Sequence, residues 1–131
     1  MAKQKRVGAK KAGDAAQAIE IPGVDIKKGM SLMGGNYDLY LQALAAFHAD
    51  AEEKISEIDA SLESGSISLY TTHIHGLRGA AATIGAKELT ETAEVLEQAG
   101  NRGDWAYIKS HNADFQHSLE ALLGIISQFA P

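Results

Sequence analysis

The sequence predicts an all-α fold: an antiparallel four-helix bundle with a short extra helix at its N-terminal end. Three observations carry this. Only Pro22 and Pro131 are proline among 131 residues, so no proline interrupts positions 23–130. Alanine is abundant, while β-branched and aromatic residues are sparse. Apolar residues recur at steps of three and four along the chain, and no segment alternates with the period of a strand. The length is that of one ordinary domain, able to bury a core without cross-links. There is no cysteine, which excludes a disulfide framework, a thiolate zinc site, an iron–sulfur site and a cysteine nucleophile.

The elements follow in order. Residues 1–20 read as a basic, disordered tail, within which 14–20 could form a short helix. The folded domain is expected over 21–131. Ile21-Pro22-Gly23-Val24 is a break, and Asp25 is a plausible cap for a short helix reaching about Met33, ended by Gly34-Gly35. Asn36 caps the next helix, with Tyr40, Leu44, Phe47, Ala51, Ile55, Ile58 and Leu62 on one face. Ser64-Gly65-Ser66 stops it and opens a third, whose stripe is Ile67, Tyr70, Ile74, Leu77, Ala81 and Ile84, with Gly85 as its stop. Lys87 to Ala99 is a shorter helix with Leu89, Ala93 and Leu96 inward, followed by a turn at Gly100-Asn101-Arg102-Gly103. Asp104 caps a last helix through about Phe129. Its inward side is Trp105, Ile108, Phe115, Leu119, Leu122, Ile126 and Phe129, with Asn112 inside the stripe.

The formal charge of −5 is unevenly spread. Lys3, Lys5, Arg6, Lys10 and Lys11 stand in the first eleven residues, and the rest of the chain holds seven basic residues against all seventeen acidic ones. Such an acidic body argues against nucleic acid as a partner. The start lacks the apolar run of a signal peptide, and stretches such as Leu122–Ile126 are too short to span a bilayer. A soluble, cytoplasmic, monomeric domain without membrane contact is expected.

Five histidines are the candidates for chemistry. His73 and His75 are two apart, which on a helix puts them about 200° apart and unable to chelate together. His111 and His117 also diverge, and no H-E-x-x-H or E-x-x-H pattern is present, so no metal site is expected. There is no nucleophile elbow, P-loop or glycine-rich dinucleotide loop. On the third helix His75 lies roughly 130° from the centre of the apolar stripe. Its neighbours at three and four residues are Thr71, Thr72, Arg78 and Gly79. His73 lies nearer the stripe, beside Leu69, Tyr70, Leu77 and Ala80, as a half-buried packing residue. Gly76 and Gly79 each cost about 1 kcal/mol in a helix interior relative to alanine, which asks for a reason. Gly79 stands one turn beyond His75 and clears ground beside it, while Arg78 adds a fork of donors suited to phosphate oxygens. This is a place to hold a phosphoryl group on nitrogen; on geometry alone it is equally a solvated face with an incidental histidine.

The stretch His75-Gly76-Leu77-Arg78-Gly79, continuing through Ala80 to Ala86, Leu89 and Leu96-Glu97, resembles the histidine-containing phosphotransfer (HPt) family, whose motif is H-x-[LIM]-[KR]-G, a second glycine, then L…LE. The lead-in Gly23-Val24-Asp25, Gly29-Met30, Gly34-Gly35-Asn36, Tyr40, Leu44 and Phe47 is similar to that family's as well, and the likeness runs over about residues 21–129. The resemblance implies that His75 is phosphorylated, that Arg78 steadies the phosphoryl oxygens and that Gly79 lets a partner approach. It implies docking over Thr71, Thr72 and Ala82. Gly76 departs from the commoner small hydroxyl or alanine. The implied partners are the receiver domains of a hybrid sensor kinase and of a response regulator. No cofactor would be bound by this chain, Mg²⁺ would sit on the receiver, and the chain would have no kinase activity of its own. Three other readings compete. One is the dimerisation helix pair of a histidine kinase, where an acidic residue usually stands in the place of Gly76. Another is the phosphoacceptor domain of a chemotaxis-type kinase. The third is a helical interaction domain that is never phosphorylated.

Overall fold

The structure is a computed structural model and describes residues 20–130. The expected tail, its short helix at 14–20 and Pro131 lie outside the described residues, apart from the exposed Glu20. Among the described residues there are five helices and no strand: α1 Ile26–Ser31, α2 Tyr37–Ser64, α3 Ile67–Thr83, α4 Lys87–Asn101 and α5 Trp105–Ile126. α3 packs on α2 and on α4, α4 packs on α5, and α5 returns to α2, while α1 rests against α2. No described helix is long and apolar enough to cross a membrane.

The caps form where short polar side chains precede each apolar run. Asp25, Asn36, Ser66 and Asp104 each accept a hydrogen bond from the backbone N–H three residues on, at 3.1, 2.9, 3.3 and 3.0 Å. α4 has no side-chain cap, because Ala86 stands there. The stripes then bury as a continuous core. Leu44, Ile74, Leu77, Ile108 and Leu119 are completely enclosed, each stabilising the fold by about 1.5–3 kcal/mol relative to exposure.

Two polar contacts tie this core together. The Tyr70 hydroxyl donates to the Asn112 side-chain oxygen at 2.8 Å, so Asn112 is buried and bonded. Burial pushes the Tyr70 phenol well above its ordinary range. The Tyr40 hydroxyl donates to the Ile84 carbonyl at 2.8 Å; burial, and then the nearby Asp25 charge, push this phenol up to about 12. Beside that contact the chain turns at Gly85 with φ of 80°. The Asp25 N–H donates to the Gly85 carbonyl at 2.7 Å, and a Cβ at 85 would strike the Asp25 carbonyl oxygen. Glycine is required there on both counts, and it joins the entry of α1 to the exit of α3.

The element ends differ from expectation in three places. α1 stops at Ser31, and the chain turns through Gly34 and Gly35 at positive φ. α4 runs on through Gly100 and Asn101, because Gly100 is buried directly against Thr71 and serves as a packing residue of a helix. α5 ends at Ile126, beyond which Phe129 donates to the Ile126 carbonyl at 2.9 Å in a tighter turn. Ile55, Leu62, Trp105 and Phe129 are only half-buried, and Leu123, outside the expected stripe, is buried.

Candidate functional site

The site grows from the phase of α3. With Ser66 fixing its start, Tyr70, Ile74, Leu77 and Ala81 face the core. His75, one residue after Ile74, therefore projects outward, and its side chain is 63% exposed. The adjacent α4 turns Leu89, Ala93, Leu96 and Ala99 inward. That phase places Glu97, one residue after Leu96, at the seam with α3. α3 and α4 approach closely here because Gly100 leaves room for Thr71.

The carboxylate of Glu97 meets two cationic or potentially cationic groups. His75 Nδ1 lies 2.7 Å from Glu97 Oε2, and Arg78 Nε lies 2.7 Å from Glu97 Oε1. The Glu97 side chain is only 15% exposed, so these contacts are made largely away from water. The Arg78 contact is not aligned as a hydrogen bond and acts as an ion pair. Because a carboxylate can only accept, His75 Nδ1–H donates to it. Nε2 is thereby the ring nitrogen that keeps its lone pair. An exposed imidazole with a fixed tautomer, a guanidinium at the same carboxylate and open ground alongside can take up an electrophilic phosphoryl group on nitrogen.

The other candidate residues separate into two groups. Gly79 meets the expectation of clearance: a Cβ there would touch nothing within 4 Å, so no packing demands glycine. Thr72 and Ala82 are exposed along the same face. Two residues are less open than their neighbours on this face. Thr71 is half-buried against Gly100 and its hydroxyl donates to the Ile67 carbonyl at 2.7 Å, which leaves only part of it available for docking. Arg78 is half-buried and its Nε is held by Glu97. His73 is the half-buried histidine, with Glu57 its nearest charged group at 3.9 Å. Among the described residues no group of three or more His, Asp or Glu could hold a metal ion.

Glu97 stands within the family-like motif, where helical periodicity assigns it no role. Its signal was its place one residue after an inward leucine. The register of α4 on α3 that brings it to His75 depends on the Gly100–Thr71 approach, which helical periodicity alone does not give.

Against models of protein families, the chain matches the Hpt domain over residues 42–127. The chain belongs to the Hpt domain family. His75, Arg78, Gly79 and Glu97 all fall inside the matched region of this Hpt domain, whereas α1 precedes it. The setting is the phosphorelay of two-component signal transduction. Among solved structures the chain is similar to the histidine-containing phosphotransfer protein B of Pseudomonas aeruginosa PAO1. The two share 23% identity with a TM-score of 0.67, over 82% of this chain and 90% of that one, a likeness of fold. No curated protein matches the chain.

Proposed function

We propose that this Hpt domain carries its phosphoryl group on Nε2 of His75, taking it from an aspartyl phosphate of one receiver domain and giving it to the aspartate of another. The observation that carries the reading is the inverted exposure of the pair: the imidazole is open, while the Glu97 carboxylate that holds Nδ1–H at 2.7 Å is sheltered. In the forward step the Nε2 lone pair attacks phosphorus in line. The N–P bond forms as the bond to the receiver aspartate's oxygen breaks, and that carboxylate leaves with the electron pair. The ring becomes a phosphoimidazolium, and the negative Glu97 beside Nδ1–H balances its new charge. The return step reverses this with a second carboxylate. Arg78 keeps its Nε on Glu97 and directs its remaining N–H groups to the phosphoryl oxygens.

The reading makes the chain a phosphoryl carrier without kinase activity, in keeping with the lack of a nucleotide-binding loop in its sequence. It keeps Mg²⁺ on the receiver, since Glu97 is already engaged by two groups. It takes the four long helices as an antiparallel bundle with α1 as the extra N-terminal helix, acting as a cytoplasmic monomer. The donor is the receiver of a hybrid sensor kinase and the acceptor a response regulator. Incubating the chain with phosphorylated receiver domains of its source organism tests this. Acid-labile, base-stable phosphate should appear on the chain within minutes from at least one receiver. No transfer from any receiver would refute the relay.

A further inference from the structure

Gly76 is unexplained by the site just described, because its Cα faces away from Glu97 and Arg78 by about one helical step from His75. Its reason comes from α2. A Cβ at position 76 would stand 2.9 Å from Cε of Lys54 and 3.7 Å from its Nζ. The far end of the Lys54 stem thus packs over Gly76, the residue that follows His75 in the chain. Its side chain is 25% exposed, and its ammonium lies 3.0 Å from Asp50 one turn earlier on α2. That partner is well exposed, so the pair holds Lys54 only loosely.

Arg78 stands on the Glu97 side of His75, while Lys54 reaches from α2 over the next residue, Gly76. Arg78 has committed Nε to Glu97. Lys54 has three donors and one weak partner, and its four-carbon stem lets Nζ advance. A phosphoryl group on Nε2 would spread close to two negative charges over three oxygens, more than the outer nitrogens of Arg78 alone would meet.

We propose that Lys54 is a second phosphoryl-holding cation of this domain, reaching from α2 over Gly76, the residue next to His75. The proposal rests on the His75 reading and deepens it. Lys54 makes and breaks no covalent bond and keeps its protons; it donates a hydrogen bond to a phosphoryl oxygen as it leaves the loose pair with Asp50. Gly76 is then the seat of a lysine, which accounts for its departure from the small side chains usual at that place.

The test uses the full chain and potassium phosphoramidate, a small donor that needs no partner protein. The phosphoryl group moves from the donor's nitrogen to Nε2 and ammonia leaves. His75→Gln supplies the baseline for label on other histidines, and melting temperature confirms that each variant is folded. Above that baseline, Lys54→Met should label roughly three- to tenfold more slowly, and Lys54→Arg should keep most of the rate. Gly76→Ala, which displaces Cε, should slow labelling by at least about twofold. Asp50→Asn should label as fast as the parent chain or faster, since it frees the ammonium. A Lys54→Met rate equal to the parent's would overturn the proposal, as would an Asp50→Asn loss equal to that of Lys54→Met, which would make the ion pair a structural tie. Parent labelling no higher than the His75→Gln baseline would instead overturn the His75 reading, and Lys54 would fall with it.

Discussion

His73 and His75 stand two residues apart on one helix, each facing a glutamate of a neighbouring helix, yet the two pairs are built in opposite senses. At His75 the imidazole is open and Glu97 is sheltered, with 2.7 Å between them. At His73 the imidazole is 20% exposed and Glu57 is 62% exposed, with 3.9 Å between them. A sheltered carboxylate fixes a tautomer and leaves the far nitrogen to solvent. An exposed carboxylate at long range does neither, because water competes for it and its side chain is free to leave. On the proposed function, the nucleophile is the histidine whose acidic partner the fold buries.

The largest effect expected from this contrast is complete. His75→Gln should abolish acid-labile, base-stable phosphate incorporation from a phosphorylated receiver, with little change in melting temperature, because the side chain is exposed. Label on His75→Gln together with none on His73→Gln would reverse the comparison.

The carboxylate is the next lever. Glu97→Ala should slow transfer by roughly 10- to 100-fold, as the hydrogen bond that orients the ring is lost. Glu97→Gln, which still accepts from Nδ1–H but lacks the balancing charge, should recover part of the rate. Glu97→Ala also leaves the Arg78 Nε without its partner and should cost on the order of 1 kcal/mol of stability, measured by urea unfolding. Equal rates for Glu97→Ala and the parent would show that sheltering of the carboxylate is incidental.

Access distinguishes the two faces as well. Gly79→Gln should slow transfer roughly three- to tenfold by obstructing receiver approach, a loss of about 1 kcal/mol in docking. Gly79→Ala, entering open space, should raise the melting temperature, since alanine is the better helix former. The opposite sign is expected at Gly100, where a Cβ meets Thr71. If Gly79→Gln transferred at the parent rate, clearance would not be the reason for that glycine.

All such rates belong below pH 10. The unfolded Tyr40 phenol ionises near 10, whereas in the fold it is pushed up to about 12. Its contribution to stability is therefore whole below pH 10 and is lost as pH rises through about 12, at up to about 1.4 kcal/mol per pH unit. Melting temperature should fall between about pH 10 and pH 12, and Tyr40→Phe should flatten that fall. An unchanged slope in Tyr40→Phe would place the alkaline sensitivity elsewhere, with Tyr70 the next residue to replace.

Much of this architecture was legible because it is local. The caps Asp25, Asn36, Ser66 and Asp104 and the stripe from Tyr70 to Ala81 depend on short-range periodicity, and the same phase already set His75 outward and His73 half-inward. What could not be read depends on how helices meet. Glu97 reaches His75, Thr71 is turned inward and Arg78 is restrained only because α4 approaches α3 at Gly100. Lys54 explains Gly76 only because α2 crosses at that level. A glycine within a helix announces that something comes close or must pass; its helical phase does not say which, and Gly79, Gly76 and Gly100 proved to be three different cases.

The smallest expected effects lie at the other histidine, and they are the most discriminating. Glu57→Gln removes a charge that is 62% exposed and 3.9 Å away, so it should alter labelling of the chain by less than about twofold and leave stability nearly unchanged. His73→Gln should preserve labelling as well, but it replaces a half-buried ring beside the core and should change stability by something of order 1 kcal/mol. The two substitutions thus separate packing from charge at a histidine to which the proposal assigns no relay chemistry. Suppose instead that Glu57→Gln slowed labelling as strongly as Glu97→Gln. An exposed carboxylate at long range would then be orienting a nucleophile as well as a sheltered one in contact, and burial of the acidic partner could no longer be what sets His75 apart.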